Sequence, residues 1–339
     1  MRAEAESGKG WFCNWGINFS SVSRRNFIKI AGAASLTAML PGCSGEQEQA
    51  SKQEQATTVF NGGTVLTVDD DFSEAEAIAI HGNRILAVGT DAEVRKAAGD
   101  GAKIIDLEGK AVLPGFIDPH THVVAGSIVD SVMDYVGMAR FQTTDEVLAY
   151  IKERTSETPA GEWLVFRNFD PAVQDGLDKL TFAELDPIST AHPIVVLNAS
   201  GHLAYANSKA FDVSGVTKDV ENPPGGEFER DADGNLTGFM KNNVAYMKVT
   251  SNYPGIVEAE PVEALIGLLD KWGAVGLTTV SELSLGALSQ TPADAQVMAA
   301  AAQTGRLKAR IRAYPFYTLG AKAWDEAGVS QGDGNELAR

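Results

Sequence analysis

The chain has 339 residues, 44% of them hydrophobic and 22% charged, the balance of a soluble globular protein long enough for two ordinary domains. Its formal net charge of −17 repels nucleic acid and anionic lipid and argues against both as partners. The two cysteines, Cys13 and Cys43, both precede the globular region, so no disulfide framework is expected.

The N-terminal segment reads as an address rather than as fold. Arg24 and Arg25 precede Phe27-Ile28-Lys29 and an apolar run from Ile30 to Leu40. That run is shorter than the roughly 20 apolar residues needed to span a bilayer. Its order of charge, apolar stretch and small residues is that of a signal peptide. The paired arginines resemble a twin-arginine export signal, which makes the twin-arginine machinery an expected partner. Leu40-Pro41-Gly42-Cys43 resembles a lipobox, in which the cysteine is lipidated and anchors the chain; Pro41 departs from the small residue usual there. Residues 1–43 are therefore expected to be an export signal. The Gln/Glu-rich stretch 44–56 cannot bury enough surface to offset chain entropy and is expected to be a disordered tether. The expected location is outside the cytoplasm, in the periplasm or held at a membrane through the N-terminus.

Residues 57–113 carry strand signals. "TVFNGGTVLTVD" sets β-branched residues around Gly62-Gly63, and "AEAIAIHGNRILAVG" has two apolar runs split by His81-Gly82-Asn83, a hairpin signal. "AKIIDLEGKAVLPG" repeats the pattern around Glu108-Gly109-Lys110. Between them Thr90 or Asp91 can cap a short helix that Gly99 or Gly101 ends. The expectation is the N-terminal part of a β-sandwich, with His81 in a turn.

"PGFIDPHTH", Pro114 to His122, holds two of the five histidines. The apolar run through Ile117 is of the kind that forms a buried parallel strand. Residues two apart on a strand share a side, so His120 and His122 are expected to project together from its C-terminal end. Neutral imidazole is a good ligand for zinc and its neighbours. Asp118 sits beside the pair, where it could orient a ligand from behind or simply cap a turn.

These residues, with "NGGTVLTVD" and "AIAIHGNRILAVG" before them and "GEWLVFRNFDP", "GGEFERDADGNLTGFMKNN" and "WGAVGLTTVSEL" after them, resemble the amidohydrolase superfamily, and within it amidohydrolase family 3. The resemblance runs from about Thr58 to the end. It implies an α/β fold: a TIM-like (β/α) barrel flanked by a β-sandwich module, with a long insertion after the first barrel strand. It also implies a divalent metal, zinc being the expected ion, one or two in number, with His120 and His122 as ligands. The implied reaction is hydrolysis of a carbon–nitrogen bond in a small amide-like substrate. Residues 114–339 would be the barrel portion, with the insertion at about 125–262. Strands are expected at Trp163–Arg167 and Ile194–Asn198 in the insertion, and at Leu277–Val280 and Ala309–Tyr317 in the barrel.

Three further residues are site candidates. Ser200-Gly201-His202 followed by Asn207 matches a family element near the substrate, so His202 is a candidate substrate contact; a histidine bonded within its own turn is the alternative. Lys241 could be mistaken for a metal-bridging lysine, but it precedes the "TTV" strand, and a surface or substrate-facing lysine is the expectation. Glu282 ends a strand and either faces the site or is a solvated loop carboxylate. No histidine follows His202, and the family's later ligands and its aspartate base have no match. The stretch from Pro114 is also shorter than the about 250 residues of such a barrel. The chain is accordingly expected to be an incomplete barrel, inactive by itself, ending in a loop before a fourth strand, with the general base beyond Arg339. The alternatives weighed are an exported, non-catalytic binding lipoprotein of the same fold, and a hydrolase of lactones or phosphoesters.

Replacing Arg24 and Arg25 together by lysine should leave the protein in the cytoplasm of a bacterium possessing the twin-arginine route. Fractionation of the two forms side by side decides this; equal export would remove the arginine pair from the account.

Overall fold

The computed structural model describes residues 57–287 and 289–339, which fall into two units divided along the chain between Phe116 and Ile117. Arg24, Arg25, Cys43 and the expected tether lie outside the described residues.

The first unit contains β1 (Thr57–Asn61), β2 (Thr64–Leu66), β3 (Glu74–Ala75), β4 (Ala77–His81), β5 (Arg84–Gly89), α1 (Asp91–Ala98), β6 (Lys103–Asp106) and β7 (Ala111–Val112). They form two sheets, ordered β5-β4-β1-β6 and β3-β2-β7. The β4–β5 hairpin closes where expected: His81 pairs with Arg84, and Gly82 takes a φ of 58° in the turn between them. Thr90 caps α1, its hydroxyl accepting from the Glu93 N–H while the Glu93 carboxylate receives the Thr90 N–H. Val94 on this helix packs with Val59, Ala77 and Ala79 of the four-stranded sheet.

The reversal at Glu108-Gly109 is not a hairpin. β6 runs parallel to β1 in one sheet, and β7 parallel to β2 in the other. The turn carries the chain between sheets, as Gly62-Gly63 does between β1 and β2. The two crossings bond to each other: Leu107 N–H donates to Asn61 O at 2.6 Å and Gly109 N–H to Gly62 O at 2.8 Å. A left-handed turn (φ 53° at Glu108 and 78° at Gly109) reverses the chain locally, but pairing partners far along the chain decide what it joins. A Cβ on Gly63 would stand 2.1 Å from the Lys110 carbonyl oxygen, so the crossing admits only glycine there.

The second unit begins within β8 (Phe116–Thr121), followed by α2 (Val123–Val132). An inserted region follows: β9 (Asp134–Tyr135), α3 (Thr144–Glu157), β10 (Leu164–Phe169), α4 (Phe182–Leu185), β11 (Ile194–Asn198), β12 (Leu203–Ala206), α5 (Ser208–Val213), β13 (Glu227–Arg230), β14 (Leu236–Lys241), α6 (Asn243–Thr250) and α7 (Pro254–Val257). Then come α8 (Pro261–Ala274), β15 (Leu277–Leu285), α9 (Asp294–Gln303), β16 (Arg310–Pro315) and α10 (Gly320–Glu326).

β8, β15 and β16 form a three-stranded sheet with β15 in the middle, and β15 and β16 run parallel. Its core joins Val123 and Val124 of α2 with Leu265, Ile266 and Leu269 of α8, Val280, Val297, Met298 and Ile311. Pro261 starts α8, and apolar residues at helical spacing turn one face inward. This mixed α/β layering of strands under helices is consistent with part of a TIM-like barrel. The inserted strands form a separate sheet, β13-β14-β12-β11-β10-β9. The all-buried β11 reads as the continuous apolar run that a strand covered on both faces requires. Helix α2 serves two cores: Val123 and Val124 pack with the three-stranded sheet, while Ile128 packs with Val195, Phe228 and Met240 of the inserted sheet.

One expectation is corrected. The run before the histidines was read as a buried strand, yet Phe116 and Ile117 are 58% and 67% exposed; β8 is an edge strand with one neighbour, and it runs on through His120 to Thr121. The last residues form the expected loop, and its end returns to β16: Ile311 N–H donates to Leu337 O, Arg339 N–H to Ile311 O and Ala313 N–H to Arg339 O. Ala338 thereby bridges Ile311 in the parallel sense, and these residues extend the sheet edge.

Truncating the fully buried Leu269 to alanine should destabilise the chain by about 2–5 kcal/mol, the cost of lost burial plus a cavity. Urea denaturation checks it; an unchanged midpoint would mean that α8 does not depend on this core.

Candidate metal centre

The geometry of the histidine pair starts from backbone bonds. Asp118 accepts the His120 N–H on Oδ1 at 3.0 Å, which shapes the strand exit; this is the turn-forming alternative for Asp118. Thr121 is buried, and its hydroxyl donates to the Ser281 carbonyl at 2.7 Å, tying β8 to β15 between the two histidines. His122 occupies the N-cap of α2 and makes no side-chain cap bond. The two imidazole rings lie with centroids 5.6 Å apart and planes at 86°.

Glu282 sits behind them and is only 2% exposed, so it is not a solvated loop carboxylate. Its Oε2 accepts the Val124 N–H at 2.9 Å, and its Oε1 accepts the Ser284 N–H at 3.1 Å. The same Oε1 stands 3.7 Å from His122 Nδ1, whose side chain is half-exposed. This carboxylate holds the His122 imidazole above its usual range against the opposing effect of burial. Asp294, in the first turn of α9, is also buried and accepts the Gly286 N–H at 3.0 Å. Burial pushes its carboxyl up, the Glu282 charge adds to this, and bonds from Ser289 and Gly286 oppose it. Asp294 could not be picked out from sequence, because a first-turn aspartate is ordinarily solvated and only packing buries it.

The other candidates lie on the inserted sheet. His202 lies on the inserted sheet between β11 and β12, where its N–H donates to Ser200 Oγ and its carbonyl accepts the Asn242 N–H. Asn207 is fully buried and structural: its Oδ1 accepts the N–H of Ile194 and of Ala210, while its Nδ2 donates to Ser189 O and His192 O. It caps α5 and has no donor or acceptor left over for a substrate. Lys241 faces Glu227 across the β13–β14 pair, Nζ to Oε1 2.9 Å. Among the described residues no group of three or more His, Cys, Asp or Glu side chains is placed to hold a metal ion. What the pair itself supplies fits such an ion: two adjacent nitrogen donors with a buried carboxylate behind one of them.

With this geometry in view, likenesses to known proteins carry weight. Residues 103–339 match the amidohydrolase family. An N-substituted formamide deformylase of Arthrobacter pascens is 35% identical over 228 residues, covering 66% of this chain and 42% of that protein. The exoenzymes regulatory protein AepA of Pectobacterium carotovorum is 30% identical over 234 residues, covering 67% of this chain and 50% of that protein. The chain thus spans half or less of the length of these relatives. In fold it is similar to an uncharacterized metal-dependent hydrolase from Pyrococcus furiosus, at TM-score 0.53 and 19% identity, covering 83% of this chain and 55% of that one.

Asp294 yields a pH test. Its folded-state pKa is raised above the ordinary 3.8, so the folded chain holds this proton more tightly than the unfolded chain does. Its contribution to stability is fully present below the unfolded value and is lost as pH rises through the folded one. Urea denaturation of the wild type and of Asp294→Asn across that window should show the wild type losing ground to the variant as pH rises. A difference that does not vary with pH would refute the assignment.

Proposed function

The chain belongs to the amidohydrolase family, and on that premise we propose that it carries part of the metal site of a hydrolase cleaving carbon–nitrogen bonds in small amide-like molecules. The observation that carries this reading is the adjacent placement of His120 and His122 at the end of β8. Zinc suits two imidazole donors, and one or two ions are proposed. A bound divalent ion supplies Lewis acidity and a water acidified to a pKa of about 7. The chain's own part is positional: Asp118 shapes the backbone at His120, and Thr121 pins the strand between the two rings. The deformylase relative supports the bond type, and the metal-dependent hydrolase of similar fold supports the metal. The family match also favours an enzyme over the binding-only alternative. Lys241 is proposed to stay outside metal binding, given its ion pair with Glu227 within the inserted sheet, and His202 stays a candidate substrate contact.

Export is part of the same proposal. Arg24 and Arg25 would direct the chain through the twin-arginine route, and Cys43 would carry the lipid that holds it at the membrane. Among the described residues no helix is long and apolar enough to cross a membrane.

Replacing His120 and His122 together by alanine should abolish zinc binding in equilibrium dialysis. Equal zinc stoichiometry in both forms would overturn the metal reading.

A further inference from the structure

Glu282 does more than fill a buried position. An N-cap residue ordinarily accepts a backbone N–H from the first turn through its own short side chain. In α2 that position belongs to His122, which makes no such bond. The orphan N–H of Val124 is satisfied instead by Glu282, which reaches in from β15. A buried carboxylate is costly unless charge and hydrogen bonds compensate it. The helix N-terminus, the Ser284 N–H and the nearby His122 Nδ1 offset this cost, with the buried Asp294 carboxyl as a neighbouring acidic group. If capping alone were needed, a serine or aspartate at position 122 would do it without burying a carboxylate from another strand. The cap position is held by a histidine, and the capping group is imported from the strand that also faces its ring.

We propose that Glu282 is the positioning residue of His122: its carboxylate accepts Nδ1–H, fixes the ring, and leaves Nε2 free as the donor. This rests on the metal reading above for its purpose, though not for its geometry. At 3.7 Å the contact is long for a hydrogen bond and is proposed to shorten when the site is loaded. Among the described residues no other side chain within ion-pairing distance of His122 competes for the ring. Metal-bound histidines commonly hand their second nitrogen to a carboxylate in this way, and loss of that partner weakens metal binding about 10–100-fold.

The test uses the full chain labelled with nitrogen-15, with the His122 ring observed by long-range proton–nitrogen correlation at alkaline pH, where imidazole is neutral. The wild type should show the Nδ1–H tautomer. In Glu282→Gln the amide oxygen can still cap Val124, while the amide NH2 takes the place of Oε1, gives up the Ser284 N–H bond and presents a donor to Nδ1. The tautomer should therefore shift towards Nε2–H, and zinc affinity, read from the same ring signals, should fall about tenfold or more. A wild-type His122 in the Nε2–H form overturns the inference, even if the variant does not fold. So does a folded variant with unchanged tautomer and unchanged zinc affinity. If zinc moves neither histidine's signals while the tautomer result holds, the metal reading fails and the hold of Glu282 on His122 stands.

Discussion

A carboxylate withdrawn from water must find its compensation in the protein, and at Glu282 that requirement organises the site. Its two oxygens join the first turn of α2, the end of β15 and the ring of His122. Removing the carboxylate would leave buried N–H groups unpaired, which costs more than the bonds contribute when made. The placement of the second histidine is thus tied to a strand some 160 residues further along the chain. The Thr121–Ser281 bond repeats the link one residue earlier, so β8 and β15 are locked in register where the imidazoles emerge.

Helix α2 carries this arrangement outward. Its first turn is packed among the strands of the three-stranded sheet and α8, and its next turn is packed against the inserted sheet. Asp130 on the same helix pairs with both Arg167 of β10 and Lys271 of α8. The helix is therefore clamped by apolar contacts on two sides and by an ion-pair network between them. Partly buried networks of this kind hold geometry better than isolated surface pairs do. His122, as the cap of α2, inherits whatever position those clamps set.

Much of the layout was legible in the chain itself. The turn at Gly82-Asn83, the Thr90 cap and the buried β11 follow from local chemistry: left-handed turn residues, a capping box and an unbroken apolar run. Where reading failed, the deciding partner was distant. Glu108-Gly109 has the chemistry of a hairpin turn, yet joins two sheets because β1 and β2 offer parallel partners. Asn207 has the residue type of a substrate contact, yet four internal bonds consume it.

The pairing of His120 with His122 was determined by spacing alone, because residues two apart on an extended chain share a side whatever surrounds them. The resemblance to the amidohydrolase family was likewise carried by linear motifs. Only the tertiary structure decided that Glu282 is buried behind His122, that Asp294 is buried in the first turn of α9, and that Lys241 pairs with Glu227 on another sheet. The reason is physical. Local chemistry sets which way neighbouring side chains point, whereas burial and partner choice depend on strands and helices that meet only after folding.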